Sequence, residues 1–239
     1  MKTLSLMSTP ADIRQEFEIR DDFCDGYVSG DRWTLVATDS GTATIGDAAG
    51  GVLTLAASDG TAADNDESYL KTTKEIFKIA SEKPLEFETN ITPAQGNTNA
   101  LNLFAGFMEG VAANSIQDDG AGPKADFSGA GFFAIDGDTT WRVIYSDGTT
   151  QTIIELDADG SLDGVAKTVA GNQVLNVEIK PISSTKVDIT FRIDGVVVAK
   201  MKDKTYASAS EMNAAIGIKA GSTTAETVAV DYVIAKQRR

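Results

Sequence analysis

Two runs within residues 173–200 alternate between apolar and polar side chains with a period of two, and this pattern constrains the fold more than any other feature. In VLNVEIKP the apolar side chains that share one face are Leu175, Val177 and Ile179. VDITFRI repeats the alternation, and Asp194-Gly195 separates it from VVVAK. A two-residue Asp-Gly loop between alternating runs predicts a β-hairpin, with Val196 and Val198 on the buried face.

Alternation also marks LEFETNI, TWRVIYS and the closing VAVDYVIA, which we predict as half-buried strands. Their predicted inward residues are Leu85, Phe87, Ile91, Trp141, Val143, Tyr145, Val228, Val230, Tyr232 and Ile234. Turn signals such as Asp-Gly recur at about the 8–12-residue spacing that is typical of sandwiches. A chain of 239 residues suits one large all-β domain. The predicted fold class is an antiparallel β-sandwich of about 12–15 strands over residues 16–239.

Helix signals are few. Ser208-Ala-Ser-Glu211 resembles a capping box and predicts about one or two helical turns from Met212 onward. Residues 8–17, STPADIRQEF, are compatible with a short helix or with an extended arm. Because residues 1–15 fit the sandwich pattern poorly, we predict that they form an N-terminal arm.

Composition excludes several classes of function. The chain has no histidine and a single cysteine, Cys24, so Ser-His-Asp and Cys-His catalysis are excluded by count. The formal net charge of −14 opposes binding to a phosphate backbone, and no Lys/Arg stripe is evident, so we expect no nucleic-acid partner. No apolar run reaches the length of a membrane span, and the apolar patch at residues 4–7 is too short for a secretory signal. We therefore expect synthesis in a cytoplasm and no membrane partner.

The stretch ELDADGSLDGVA, residues 155–166, resembles half of a calcium-binding loop. A calcium loop of the EF-hand type needs a bidentate Glu at its twelfth position. Counting from Asp159 places Lys167 at the ninth position and Ala170 at the twelfth, so the second half of the pattern fails. We predict an Asp/Gly turn between strands and no metal. A second acidic run, residues 59–67, is compatible with a calcium site of scattered carboxylates, but we predict a solvated loop.

Two further patterns bear on carbohydrate chemistry. Glu86 and Glu88 lie two apart on one strand face, about 7 Å from each other, a spacing that suits acid/base catalysis. Laminarinase-type glucanases need a Glu-x-Asp-x-x-Glu-like strand, which this chain lacks, so we interpret both as solvent-facing charges. The only tryptophans, Trp33 and Trp141, fall in strand-like runs, and we predict that they pack in the core rather than stack on sugars. Cys24 is interpreted as structural. No catalytic residue and no cofactor site is predicted.

The C-terminal half resembles the concanavalin A-like (laminin G/jelly-roll) sandwich. The resemblance lies in NQVLNVEIKP, TKVDITFRIDGVVVAK and AVDYVIAKQ, and upstream in DDFCDG with RWTLVATDSGTATI. It implies a jelly-roll β-sandwich. Such folds host binding modules, structural proteins and enzymes, so fold alone does not select among these functions.

A narrower resemblance is to head decoration or cement proteins of tailed bacteriophages. It rests on DNDESYLKTTKEIFKIASEKPLEFE, NSIQDDGAGP and KPISSTKVDITFRIDG, and extends from about residue 12. It implies a non-enzymatic virion protein that docks on the exterior of an HK97-like shell, with the major capsid protein as partner, as a homotrimer. We expect the arm to contact the shell or a neighbouring subunit, through Met1, Lys2, Thr3, Leu4, Leu6, Pro10, Ile13 and Arg14.

Two alternatives to a capsid protein stay open. The first is a lectin-like carbohydrate-binding module, which a virion can also display. The second is a glycoside hydrolase or lyase on the same fold, which the missing glucanase motif and the absence of histidine disfavour.

Overall fold

A computed structural model describes residues 16–38, 41–47, 49–58, 61, 63–95, 100–206, 210–224 and 226–239. These residues form sixteen strands and no helix, which confirms the all-β prediction. The number of strands is one above the predicted range of about 12–15. No helix able to cross a membrane occurs among them. The strands are β1 (Glu16–Asp21), β2 (Trp33–Ala37), β3 (Thr42–Gly46), β4 (Val52–Ala56), β5 (Glu67–Thr72), β6 (Phe77–Lys78), β7 (Leu85–Ala94), β8 (Leu101–Met108), β9 (Ser128–Ala134), β10 (Arg142–Asp147), β11 (Gln151–Glu155), β12 (Gln173–Pro181), β13 (Lys186–Ile193), β14 (Val196–Thr205), β15 (Glu211–Ala220) and β16 (Thr227–Arg238).

The strands build two sheets, and all strand pairs are antiparallel. Sheet A has the order β14-β13-β12-β7-β16-β4-β3, and β1 also pairs with β16. Sheet B has the order β11-β10-β9-β8-β15-β5-β2, and β6 also pairs with β15. The predicted antiparallel sandwich is therefore confirmed.

The main core lies between the two sheets, where one apolar cluster takes side chains from both. Phe132 of sheet B stands edge-on to Phe191 of sheet A, with ring centroids 5.6 Å apart, and edge-on to Trp141 at 6.1 Å. Trp33 and Trp141 are 3% and 0% exposed, so their predicted place in the core is confirmed. Edge-to-face aromatic pairs of this kind add to the free energy of area burial.

The Asp194-Gly195 hairpin is confirmed, and the prediction for one of its flanking residues is wrong. Asp194 and Gly195 have φ angles of 51° and 78°, as a tight hairpin turn requires. The pairing of β13 with β14 then shifts by one residue between Phe191 and Arg192. Val198 is fully buried as predicted, whereas Val196 is 50% exposed beside the turn, at the edge of sheet A.

A second irregularity overturns part of the prediction for β16. Val228 and Val230 are buried as predicted, but the register with β7 shifts between Val230 and Tyr232. A shift of one residue exchanges the two faces of a strand. Tyr232 and Ile234, predicted inward, are therefore only half-buried, and the core instead receives Val233 and Ala235.

The helix predicted from Met212 is wrong, because Met212 lies in β15, between β5 and β8 in sheet B. Nine of the ten residues of this strand are buried, so both of its faces pack against protein. Burial on both faces removes the period-two alternation by which a half-exposed strand is recognised.

Candidate functional site

A sandwich offers two outer sheet faces, and the protein covers the outer face of sheet B with its own chain. The segment of residues 109–127, between β8 and β9, packs on this face through a second apolar cluster. The members of that cluster are Tyr69, Phe104, Met108, Val111, Ile116, Phe127, Phe133, Ile144 and Ala215. The central face of sheet B is therefore occupied by the protein's own residues.

A buried polar network fastens this segment to the sheet. Lys219, which is 0% exposed, contacts the carboxylates of Glu67 and Asp118 and donates to the side-chain oxygen of Asn114 at 2.9 Å. Glu67 accepts the backbone N–H of Asn114 at 2.8 Å and the hydroxyl of Tyr69 at 2.5 Å. Burial, together with the hydrogen bond to Glu67, raises the pKa of Tyr69.

The prediction that residues 59–67 form a solvated loop fits Thr61, Ala63 and Asp64, which are exposed, and is wrong for Asp66 and Glu67. Asp66 and Glu67 are 2% and 1% exposed, and Asp66 accepts the backbone N–H of Ala63 at 2.8 Å. Residues 59, 60 and 62 lie outside the described part of the chain. The two carboxylates thus hold backbone and buried side chains in place.

The outer face of sheet A, by contrast, presents polar side chains across its central strands β12, β7 and β16. Glu86 accepts from Asn176 at 2.9 Å and forms an ion pair with Lys236 at 2.8 Å. Glu88 accepts from the amide of Asn176 at 3.2 Å and from the hydroxyl of Tyr232 at 3.0 Å. The predicted outward orientation of both glutamates is confirmed, although both are half-buried.

Arg192 extends the same network toward the edge of the sheet. Its guanidinium forms an ion pair with Glu178 at 2.9 Å and donates to the side-chain oxygen of Asn176 at 3.0 Å. Asn176 therefore accepts from Arg192 while it donates to two carboxylates. The result is a continuous row of paired charges over four neighbouring strands.

The electrostatics of this row bear on acid/base chemistry. Burial opposes ionisation of Glu86, but hydrogen bonds from Lys236 and Asn176 outweigh it and lower the pKa of Glu86. The same contact raises the pKa of Lys236. Burial and the hydrogen bond to Glu88 raise the pKa of Tyr232 to about 12. A glycosidase general acid needs a raised carboxyl pKa, so Glu86 is tuned in the opposite direction.

The Asp/Gly stretch at residues 157–165 is a turn, as predicted. Asp157 accepts the backbone N–H groups of Asp159 and Gly160, at 3.0 and 2.7 Å. Asp163 accepts a hydrogen bond from Ser161 and forms an ion pair with Lys167 at 2.6 Å. The hydrogen bond from Lys167, and to a smaller extent that from Ser161, lowers the pKa of Asp163 to about 2. These carboxylates are thus engaged by turn and ion-pair contacts. No cluster of three possible metal ligands occurs among the described residues.

We expect calcium to leave the stability of the protein unchanged. Neither EDTA nor millimolar calcium should shift the melting temperature by more than about 1 °C, because a ligand stabilises a fold only by binding it. Scanning fluorimetry measures this, with magnesium at equal ionic strength as the control. A calcium-specific rise of several degrees that Asp163→Asn removes would establish a metal site in this turn.

The structure also gathers cationic side chains that the sequence reading missed. We call this surface the cationic trough, and its cations are Lys83, Lys180, Lys200, Lys202, Arg238 and Arg239. They line two adjoining depressions at one end of the outer face of sheet A, with volumes of about 480 and 240 Å³, which share Glu178 and Lys180. The six cations come from four separate segments of the chain, so they do not form a basic run in the sequence.

The remaining predicted residues are placed as follows. Cys24 is exposed, and its thiol donates to the carbonyl oxygen of Gly50 at 2.9 Å, a contact between two loops. The eight predicted contact residues of the arm lie outside the described residues, namely Met1, Lys2, Thr3, Leu4, Leu6, Pro10, Ile13 and Arg14.

Comparison with known proteins identifies the class of fold. No family model matches the chain, and no curated protein matches it by sequence. Among solved structures, the endo-1,3-β-glucanase of Streptomyces sioyaensis aligns with a TM-score of 0.60 and 13% identity over 98% of this chain and 99% of the enzyme. The carbohydrate recognition domain of Emp47p aligns at 0.59 and 12%, over 94% of this chain and 97% of that domain. An endo-β-1,4-glucuronan lyase from Trichoderma reesei aligns at 0.60 and 11%, over 92% and 94%.

These likenesses define the protein as a concanavalin A-like jelly-roll β-sandwich, as the sequence resemblance implied. The structures that share the fold include lectin domains, glucanases and a lyase, all at low identity. At this identity the likeness establishes the fold, and function has to be argued from the faces and side chains of this chain.

Proposed function

We propose that the protein is a non-enzymatic virion component that docks on the outer surface of an HK97-like bacteriophage shell and stabilises it. One structural observation carries this proposal: the outer face of sheet B is covered by residues 109–127, while the outer face of sheet A presents a row of paired charges. A broad, ion-paired strand face suits contact with another protein surface better than it suits a small substrate, which needs an enclosing pocket.

The sequence resemblance to phage decoration proteins supports the same proposal and supplies the partners. The major capsid protein of the shell is the proposed partner, self-association is proposed to be trimeric, and the proposed location is the exterior of the capsid. Residues 1–15 are proposed to reach the shell or a neighbouring subunit. The first described strand, β1, begins at Glu16 and pairs with β16, so removal of residues 1–15 spares every described strand.

The proposal is tested by co-sedimentation with shells. We expect a major capsid gene beside the gene for this chain, and shells assembled from that capsid protein should retain the full-length chain in the pellet. Bound shells should also survive heating or low salt better than bare ones. A chain lacking residues 1–15 should stay folded, as judged by an unchanged melting temperature, and lose shell binding.

Two outcomes would contradict the proposal in different ways. Absence of the full-length chain from pelleted shells would refute capsid docking. Shell occupancy unchanged by removal of residues 1–15 would refute the role of the arm and leave docking by the sandwich itself. Bovine serum albumin, mixed with the same shells, controls for trapping in the pellet.

Glycan binding is the second candidate function. It is favoured by the fold shared with the carbohydrate recognition domain of Emp47p and by the open polar face of sheet A. Stacking of a sugar on tryptophan is not part of this candidate, since Trp33 and Trp141 lie in the core. A glycan array probed with the intact chain tests it, and binding to no glycan would exclude it.

A further inference from the structure

We propose that the cationic trough binds an acidic polysaccharide, through carboxylate or sulfate groups carried on sugar rings. This inference goes beyond docking on a shell and rests on the glycan-binding candidate, to which it adds a site and a ligand class. The argument starts from charge. The chain carries 35 acidic and 21 basic residues, yet the trough gathers six cations and only three carboxylates.

The four lysines of the trough differ from Arg239, whose guanidinium lies 5.9 Å from the centre of the Phe17 ring. Lys83, Lys180, Lys200 and Lys202 are exposed, and none of the four forms an ion pair with any residue that the structure describes. By contrast, Lys236 and Arg192, which lie beside these lysines on the same face, are ion-paired with Glu86 and Glu178. Unpaired lysines are therefore a property of the trough and not of the whole outer face of sheet A. Exposed ammonium groups without partners are available to an external anion.

The shape of the trough suits a linear polymer. Its lining residues come from β14, β13, β12, the turn before β7, and the end of β16, so the trough crosses sheet A perpendicular to the strands. Five neighbouring strand positions at about 4.8 Å spacing give a length of roughly 19 Å. The backbone N–H of Arg238 donates to the carbonyl of Pro84 at 3.2 Å, which ties the strand β16 to the turn at this end.

The composition of the lining distinguishes a charged sugar from other anions. Glu82, Glu178 and Asp188 are carboxylates that repel a bare polyanion but accept hydrogen bonds from sugar hydroxyls. Ser81 and Thr190 add hydroxyl groups that both donate and accept. A ligand that fits both kinds of group carries anionic substituents and free hydroxyls together, as acidic polysaccharides do.

The same lining disfavours two other polyanions. Neither depression is lined by an aromatic ring, whereas single-stranded nucleic acids are held largely by stacking on aromatic side chains. The cores of protein–protein contacts are also enriched in aromatic residues, and here the apolar lining is limited to Pro84, Pro181 and Ile189. We therefore favour a sugar polymer over DNA or an acidic protein segment.

The test is a binding titration of the full chain with polygalacturonate, dextran sulfate, neutral dextran, polyglutamate and duplex DNA. We expect binding to polygalacturonate, dextran sulfate or both, weakened by added salt, and no binding to neutral dextran. The Lys180→Gln/Lys200→Gln variant should bind about 10-fold more weakly, because two charge-assisted contacts are lost. The relative affinities for the first two polymers separate carboxylate from sulfate as the anionic group.

A control variant, Arg32→Gln/Lys74→Gln, changes the net charge equally at exposed positions near sheet B and should bind within about 2-fold of the parent chain. Equal melting temperatures for both variants exclude loss of the fold. Equal weakening in the two variants would overturn the site, since it would mean a general charge effect. Tighter binding to polyglutamate or DNA than to either polysaccharide would overturn the ligand class.

Failure of this inference can be told apart from failure of the functions on which it builds. Binding to neutral glycans alone overturns the trough as an acidic-glycan site and leaves glycan binding in place. Absence of binding to every glycan overturns both the acidic-glycan site and the glycan-binding function. Shell co-sedimentation of Lys180→Gln/Lys200→Gln reports separately on docking to a capsid.

Discussion

Replacement of Lys219 by methionine is expected to lower the free energy of unfolding by about 3–5 kcal/mol. The ammonium group of Lys219 is fully buried and faces the carboxylate of Glu67, which is itself 1% exposed. Methionine fills a similar volume but leaves Glu67 as a buried charge without its cation. Removal of one partner of a buried pair costs far more than the pair contributes, because the remaining charge stays desolvated.

Urea denaturation followed by tryptophan fluorescence measures this loss, with Trp33 and Trp141 as buried reporters. The double variant Lys219→Met/Glu67→Gln is the matched control. It should recover a large part of the stability because no buried charge is left unpaired, since Asp118, the other carboxylate that contacts Lys219, is 54% exposed. The segment 109–127 is held by the same network, so trypsin should cut Lys219→Met faster at Lys124. A loss under about 1 kcal/mol, with unchanged proteolysis, would show that the pair contributes little to stability.

Replacement of Trp141 by alanine is expected to cost about 3–5 kcal/mol. Its ring is 0% exposed, stands edge-on to Phe132, and donates its indole N–H to Gln173 at 2.8 Å. Alanine would leave a cavity between the sheets and an amide oxygen without its donor. The cost arises from lost contacts on both sides of that cavity.

Trp141→Phe separates packing from hydrogen bonding, since it keeps an aromatic ring but loses the indole N–H. We expect a loss of about 1–2 kcal/mol for this variant, measured in the same urea series. If Trp141→Ala loses both stability and glycan binding, the loss of binding follows from the damaged fold. If Trp141→Ala kept the stability of the parent chain and lost only glycan binding, the tryptophan would contact sugar and its place in the core would be wrong.

The strands that the sequence predicts well are those with one face in the core and one in solvent. β7 and β13 alternate cleanly, and the structure places Leu85, Phe87, Ile91 and Phe191 in the core. β15 is buried on both faces, so its residues show no alternation. The sequence Ser-Ala-Ser-Glu, whose last residue is the first residue of β15, resembled a helix cap. Local patterns report exposure, and a strand covered on both sides carries no such signal.

Register is a second property that local pattern did not predict. Tyr232 and Ile234 continue the alternation of β16 in the sequence, yet the shift after Val230 directs Val233 and Ala235 inward. A bulge of this kind depends on how β16 fits against β7, which is more than 130 residues away along the chain in their paired register, for example Tyr232 with Asn90. Its position is set by packing across the sheet.

Residue type and turn chemistry in the sequence determined an all-β antiparallel sandwich, its Asp-Gly hairpin, the burial of both tryptophans, and the exclusion of histidine-based catalysis. Only the tertiary structure decided which outer face is covered, how Lys219 meets Glu67, and where Lys180, Lys200 and Arg239 converge. The physical reason is range: periodicity and turn preference act over a few residues, whereas charge pairing and surface shape depend on strands that meet only after folding.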